Sequence, residues 1–206
     1  MNSSIDSSKN KNRIKLLILW LIPFGLMLVA SIVYWLVMNG YLSLGSKNEG
    51  ELVVPPINIS ELALTMDKTP NKIWKDKWIM VIRGSETCED ICENALYLTR
   101  QIHIRLNEKA DRVRRIYLTD TRNLSPDLSK HLEKNHKFAK IVTGSNDLIS
   151  LIDDSFEKIT SKTGSPISFA LVDPDGWLMM AYSPSHDGAQ ILKDLKFLLK
   201  YSVERY

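Results

Sequence analysis

Apolar residues run without a charge through positions 16–38, from Leu16 to Met38, thin out over the next stretch, and then return in short blocks whose period alternates between two and about 3.6. The first run has 23 residues. At about 1.5 Å per residue it is long enough to cross a hydrocarbon core of roughly 30 Å, and it predicts one transmembrane helix. Pro23 and Gly25 interrupt it, as membrane helices tolerate, and Trp20, Tyr34, Trp35 and Tyr41 stand where interfacial aromatics are expected. A cleaved leader would have a shorter apolar core, and no small-x-small cleavage site stands out between Asn39 and Ser46, so the reading is a retained anchor.

Residues 39–66 are polar and broken by Gly40, Gly45, Gly50 and the pair Pro55-Pro56. Consecutive prolines favour a stiff extended segment, so this stretch reads as a tether and residues 67–206 as one folded domain. Within that domain residues 77–83 form a strand-like block and 88–107 a helix-like one, with Cys92, Ala95, Leu96, Thr99, Ile102 and Leu106 along one side. A strand follows at 113–119, a short helix at 127–135, a strand at 139–142 and a helix at 147–159. Strands at 167–172 and 177–182 flank Asp173-Pro174-Asp175-Gly176, which predicts a hairpin, and an amphipathic helix at 189–202 ends the pattern, with Asp187 placed to cap it. This order predicts an α/β fold of the thioredoxin-like kind, a central mixed sheet flanked by helices with right-handed crossovers in its parallel part.

Charge adds orientation. Residues 1–15 hold four basic side chains (Lys9, Lys11, Arg13, Lys15) and one acidic, which accounts for the whole net +3 of the chain and leaves 23 of each sign beyond it. The next basic residue is Lys47, so the positive flank puts residues 1–15 in the cytoplasm and the folded domain, in a bacterium, in the periplasm beyond the inner membrane. A domain without net charge does not read as a nucleic-acid binder, and the run Arg112-Val113-Arg114-Arg115 reads as the solvated edge of a strand.

The candidate chemistry is Cys88 and Cys92, the two cysteines of the chain, four residues apart between a strand and a helix. On a first helical turn that spacing puts both sulfurs on one face, close enough for a disulfide or for sharing a soft metal ion. The periplasm is oxidising, so such a pair is a disulfide or is kept reduced deliberately. A helix N-terminus lowers a thiol pKa, while Glu86, Glu89, Asp90 and Glu93 oppose further negative charge, which suits a modest reductant or a thiolate pair neutralised by a cation such as Cu(I). A purely structural disulfide is the other reading; closing so short a loop adds on the order of 1 to 2 kcal/mol. Among the histidines, His103, His131 and His136 read as ordinary surface or boundary residues, and His186, after the last strand, is a candidate ligand or proton shuttle.

The segment GSETCEDICENALYLTRQI resembles the Cys-x-x-x-Cys signature of the Sco/SenC family, membrane-anchored copper-handling and thiol-disulfide proteins of cytochrome c oxidase assembly. The resemblance implies a thioredoxin-like domain behind a single anchor, roles for Cys88 and Cys92 in copper binding or thiol-disulfide oxidoreductase chemistry, and an oxidase subunit or a periplasmic thiol-redox protein as partner. Glu89 and Glu93 stand where the family has prolines, and the hairpin alignment puts Ser165 at its histidine ligand. GSPISFALVDPDG resembles TlpA-like thioredoxin-type proteins, which implies that Pro166 opens the strand facing the cysteines through a cis peptide bond. The alternative function left open is a membrane-tethered, non-catalytic binding module.

Overall fold

The computed structural model describes residues 3–38, 48–59 and 76–202, with side chains from residue 19 onward in the first segment. The chain divides into two compact units, residues 1–47 and 48–206. The first contains helix α1 (Ser3–Met38), in which Leu19–Met38 is long and apolar enough to span a membrane. Ser31 Oγ donates to the Met27 carbonyl at 2.8 Å, so a polar side chain in that stretch is satisfied inside its own helix.

The second unit is built on a six-stranded sheet in the order β1-β6-β5-β2-β3-β4: β1 (Glu51–Asn58), β2 (Trp78–Arg83), β3 (Val113–Thr119), β4 (Ala139–Thr143), β5 (Phe169–Val172) and β6 (Trp177–Tyr182). β2, β3 and β4 are mutually parallel, β5 is antiparallel to both β2 and β6, and β1 is antiparallel to β6. Strands covered on both faces are apolar in every position, and β2 and β5 show it: Trp78 to Ile82 and Phe169 to Val172 are all buried. Helix α2 (Asp90–Arg105) follows β2, a 3₁₀ turn (Asn107–Arg112) leads into β3, and α3 (Pro126–Asn135), α4 (Asn146–Thr163) and α5 (Gly188–Tyr201) complete the unit.

Two cores lie on the two faces of the sheet. Ile79, Val81, Ile116 and Leu118 pack against Leu148 and Ile152 of α4 on one side. On the other, Met80, Ile82, Tyr117 and Phe169 meet Leu96 and Ile102 of α2, Leu132 of α3 and Leu195 of α5. The caps follow local chemistry. Ser125 and Ser145 accept from Leu128 N–H and Leu148 N–H, and Asp187 opens α5 in a reciprocal capping box with Gln190.

Several expectations are corrected. Glu51–Asn58, inside the stretch read as a tether, is a strand paired with β6, because Asp194 of α5 receives the Glu49 and Gly50 amides (2.9 Å to each from Oδ2) and fixes the start of β1. The rest of that stretch, residues 39–47 and 60–66, lies outside the described residues. The run 112–115 is not a solvated edge, since β3 is flanked on both sides and Arg115 is 2% exposed. The Ser165–Pro166 bond is trans and the one cis bond among the described residues is Val54–Pro55; Pro166 is exposed and lies three residues before β5, so no packing overrides the trans preference.

Candidate functional site

β2 ends at Arg83, and the side chain of Arg83 secures that end. Its Nε and Nη2 reach Asp153 of α4 at 2.9 and 3.1 Å, Nη2 also reaches Asp120 after β3 at 3.4 Å, and Nη1 donates to the Gly84 carbonyl. Gly84 follows, with its N–H donated to the Leu118 carbonyl at 2.9 Å. A Cβ on Gly84 would land on the phenol of Tyr117, so glycine is required for the strand end to pass over that ring. The Tyr117 hydroxyl in turn donates to the Ser85 carbonyl at 3.0 Å, and burial pushes its pKa up to about 12, which keeps it a neutral donor. Ser85 Oγ donates to the Thr87 carbonyl, and Ser125 N–H to the Glu86 carbonyl at 2.9 Å. Residues 84–87 are thereby fixed from three sides, and they deliver Cys88.

Cys88 and Cys92 form a disulfide, with Cα atoms 5.3 Å apart. Cys88 lies one residue before the N-cap Glu89, and Cys92 is the third residue of α2. The helix therefore begins two residues later than the apolar pattern indicated. The extended Glu89 (φ −85°, ψ 177°) carries Cys88 back toward the first turn, where the two sulfurs meet. Both cysteines are half-buried against the α2 side of the core, while Glu86, Glu89, Asp90 and Glu93 are exposed around them.

The C-terminal ends of β2, β3, β4 and β6 point to one end of the sheet, which is also where β5 and β1 begin. Pro166, before β5, and His186, after β6, both lie at that end. β5 separates the β6 end, with His186, from the β2 end, with the disulfide. Both ring nitrogens of His186 are engaged: Nδ1 accepts from Ser183 N–H at 3.1 Å, and Nε2 donates to the Glu49 carbonyl at 2.8 Å. The imidazole thus ties the start of β1 to the loop after β6. Among the described residues no group of three or more His, Cys, Asp or Glu side chains is placed to hold a metal ion. The groups that sequence reasoning missed are Gly84, Tyr117 and Arg83; a glycine and a buried phenol around the strand end carry no motif, and their relation emerges only from the β2–β3 register.

A family model described as the transmembrane-like, thioredoxin-like C-terminal domain matches residues 78–202, which includes the disulfide, all of β2 to β6 and helices α2 to α5. The chain belongs to this family. No curated protein matches the sequence. Among solved structures, copper-bound yeast Sco1 is similar with a TM-score of 0.52 and 19% identity, over 77% of this chain and 97% of its own. Apo Sco1 from Thermus thermophilus has a TM-score of 0.50 and 16% identity, over 77% and 98%. This family member therefore shares the thioredoxin-like fold of those Sco proteins, with its disulfide at the C-terminal end of the central parallel strands, the end at which open α/β sheets place their chemistry.

Proposed function

We propose that the chain is a thiol-disulfide exchange protein anchored in the bacterial inner membrane with its domain in the periplasm, and that it serves cytochrome c oxidase assembly by keeping copper-site thiols reduced. The observation that carries this reading is the position of the Cys88–Cys92 bridge: a half-buried pair in a loop held by Tyr117, Ser125 and Gly84, at the start of α2. A bridge kept for stability alone ties distant segments, and this one closes a loop of sequence separation 4. The basic flank Lys9 to Lys15 and the apolar stretch Leu19–Met38 support the orientation, and the Cys-x-x-x-Cys resemblance to Sco/SenC proteins supports the pathway.

In the reduced chain, the Cys88 thiolate attacks one sulfur of a partner disulfide and the other partner sulfur leaves as a thiolate. Cys92 then attacks Cys88 Sγ in the mixed disulfide, which regenerates the Cys88–Cys92 bond and releases the partner as a dithiol. Two electrons pass to the partner, and a periplasmic dithiol reductant restores the chain. Cys92, in the first turn of α2, is stabilised as a thiolate by the helix N-terminus, whereas the surrounding carboxylates limit that stabilisation, which favours the disulfide form and suits a reductant. Pro166 and Ser165 lie at the same end of the sheet, where a partner strand would dock.

Cu(I) handling by the two thiolates is the second reading, and the fold shared with copper-bound yeast Sco1 favours it. The engaged nitrogens of His186 and the serine at position 165 weigh toward thiol exchange. The test is a C88S/C92S double variant together with anaerobic Cu(I) titration of the reduced full-length chain in detergent. Loss of oxidase assembly, with no Cu(I) binding tighter than that of glutathione, is the expected result. Full assembly at normal protein levels in the double variant overturns both redox and copper readings; tight stoichiometric Cu(I) binding lost in the variant replaces thiol exchange with copper handling.

A further inference from the structure

Toward the opposite end of the sheet from the disulfide, a pocket of about 280 Å³ opens between α2, β3 and the turn from α3 into β4. Its lining includes four permanent cations, Arg100, Arg115, Lys134 and Lys137, and no carboxylate. None of the four forms a salt bridge with a described residue. Arg115 is the anomaly. It is 2% exposed, and a guanidinium so buried is ordinarily neutralised by a carboxylate. Here its Nε donates to Thr99 Oγ1 (3.1 Å) and its Nη2 to the Leu96 carbonyl (2.8 Å) and His136 Nδ1 (3.3 Å), which satisfies protons and leaves the charge uncompensated. Nη1 takes part in none of these bonds.

The buried His136 beside it fixes the sign of the ligand. Arginine only donates, so His136 Nδ1 is an acceptor and the proton of the neutral ring sits on Nε2, directed at His131 Nε2 at 3.3 Å. That ring has no lone pair to offer a metal. Desolvation, then the charges of Arg115, His131 and Arg100, depress the His136 pKa to about 4, and desolvation lowers that of His103. Of the carboxylates, Asp111 acts on His103, and none acts on Arg115 or His136. Burial first, and the charge of Arg115 after it, lowers the pKa of both lining histidines.

We propose that this pocket is an oxyanion site for a phosphate-type group, inorganic phosphate or a phosphomonoester, with Arg115 as its floor and Arg100, Lys134 and Lys137 as its rim. A dianion supplies the compensating charge that the buried guanidinium lacks, and the planar donor fork of arginine matches phosphate oxygens. Exposed Lys134 and Lys137 sit where they close over the anion without being part of the core, and Phe138, stacked 6.4 Å from His103 and 79% exposed, bounds the mouth with an apolar ring.

The test is calorimetric titration of the full-length chain in a non-ionic detergent with inorganic phosphate at constant ionic strength, and in a second arm with glycerol 3-phosphate, a phosphomonoester. Saturable one-to-one phosphate binding that K134A/K137A weakens about tenfold is expected. Both lysines are exposed, so that variant keeps the fold, and its circular dichroism checks this. Tighter binding of glycerol 3-phosphate with the same lysine dependence supports the site and identifies its ligand as a phosphomonoester rather than free phosphate. No saturable binding of either probe, or binding unchanged in K134A/K137A, overturns the proposal.

Discussion

Removing the carboxylate of Asp194 tests how the domain begins. Asp194 is 3% exposed and accepts the Glu49 amide (2.9 Å), the Gly50 amide (2.9 Å) and the Tyr182 hydroxyl (3.3 Å). One side chain of α5 therefore joins the start of β1 to the end of β6. Hydrogen bonds to a charged acceptor contribute about 1.5 to 3 kcal/mol, and deletion leaves the Gly50 N–H buried without a partner while the Glu49 N–H can reach water. Asp194→Ala should therefore cost about 3 kcal/mol, which for a domain of this size lowers Tm by about 6 to 12 °C. Asp194→Asn retains one acceptor and should lose roughly half as much, and Tyr182→Phe, which removes only the longest bond, about 1 kcal/mol. The assay is thermal unfolding of the full-length chain followed by tryptophan fluorescence, with amide hydrogen exchange over residues 49–58 as a local readout. In Asp194→Ala that segment should exchange faster than the rest of the sheet. A Tm within 2 °C of wild type, or unchanged exchange in β1, would refute the claim that this carboxylate fixes the first strand.

Two further outcomes follow from the same geometry. Gly84→Ala drives a methyl group into the buried Tyr117 ring and should cost about 1 to 3 kcal/mol while accelerating reduction of the disulfide by dithiothreitol; adding Tyr117→Val should restore stability, and failure to do so would locate the strain elsewhere. His136 titrates at about 4 when folded and near 6.5 when unfolded, so the unfolded state binds the extra proton between those values and stability falls on acidification from about pH 6.5 to pH 4. In His136→Gln, which keeps an acceptor for Arg115, denaturant midpoints measured across that window should decline less steeply than in wild type.

β3 and β6 have in the structure the bounds that the sequence indicated, β6 from its apolar run and β3 although two arginines stand in its first half. β1 was illegible because its partners are residues 177–181, more than a hundred positions away, and its proline pair speaks locally for an isolated extended segment. The same non-locality hid Arg115, whose place in the run 112–115 gives no sign that Thr99 and His136 enclose it. At the candidate site the cysteine spacing was readable. The occupancy of both His186 nitrogens was not, since it depends on the Glu49 carbonyl arriving with β1.

Strand β1 has one more effect, on how copies of this protein behave toward each other. A sheet is open to self-association at its two outermost strands. One outer strand is β1, where Pro55 and Pro56 supply no N–H and the register slips between Leu52 and Ile57. The other is β4, five residues long with the exposed Lys140 near its middle. Among the described residues neither border offers the long, regular row of donors and acceptors that another strand could copy, which disfavours edge-to-edge pairing of two copies.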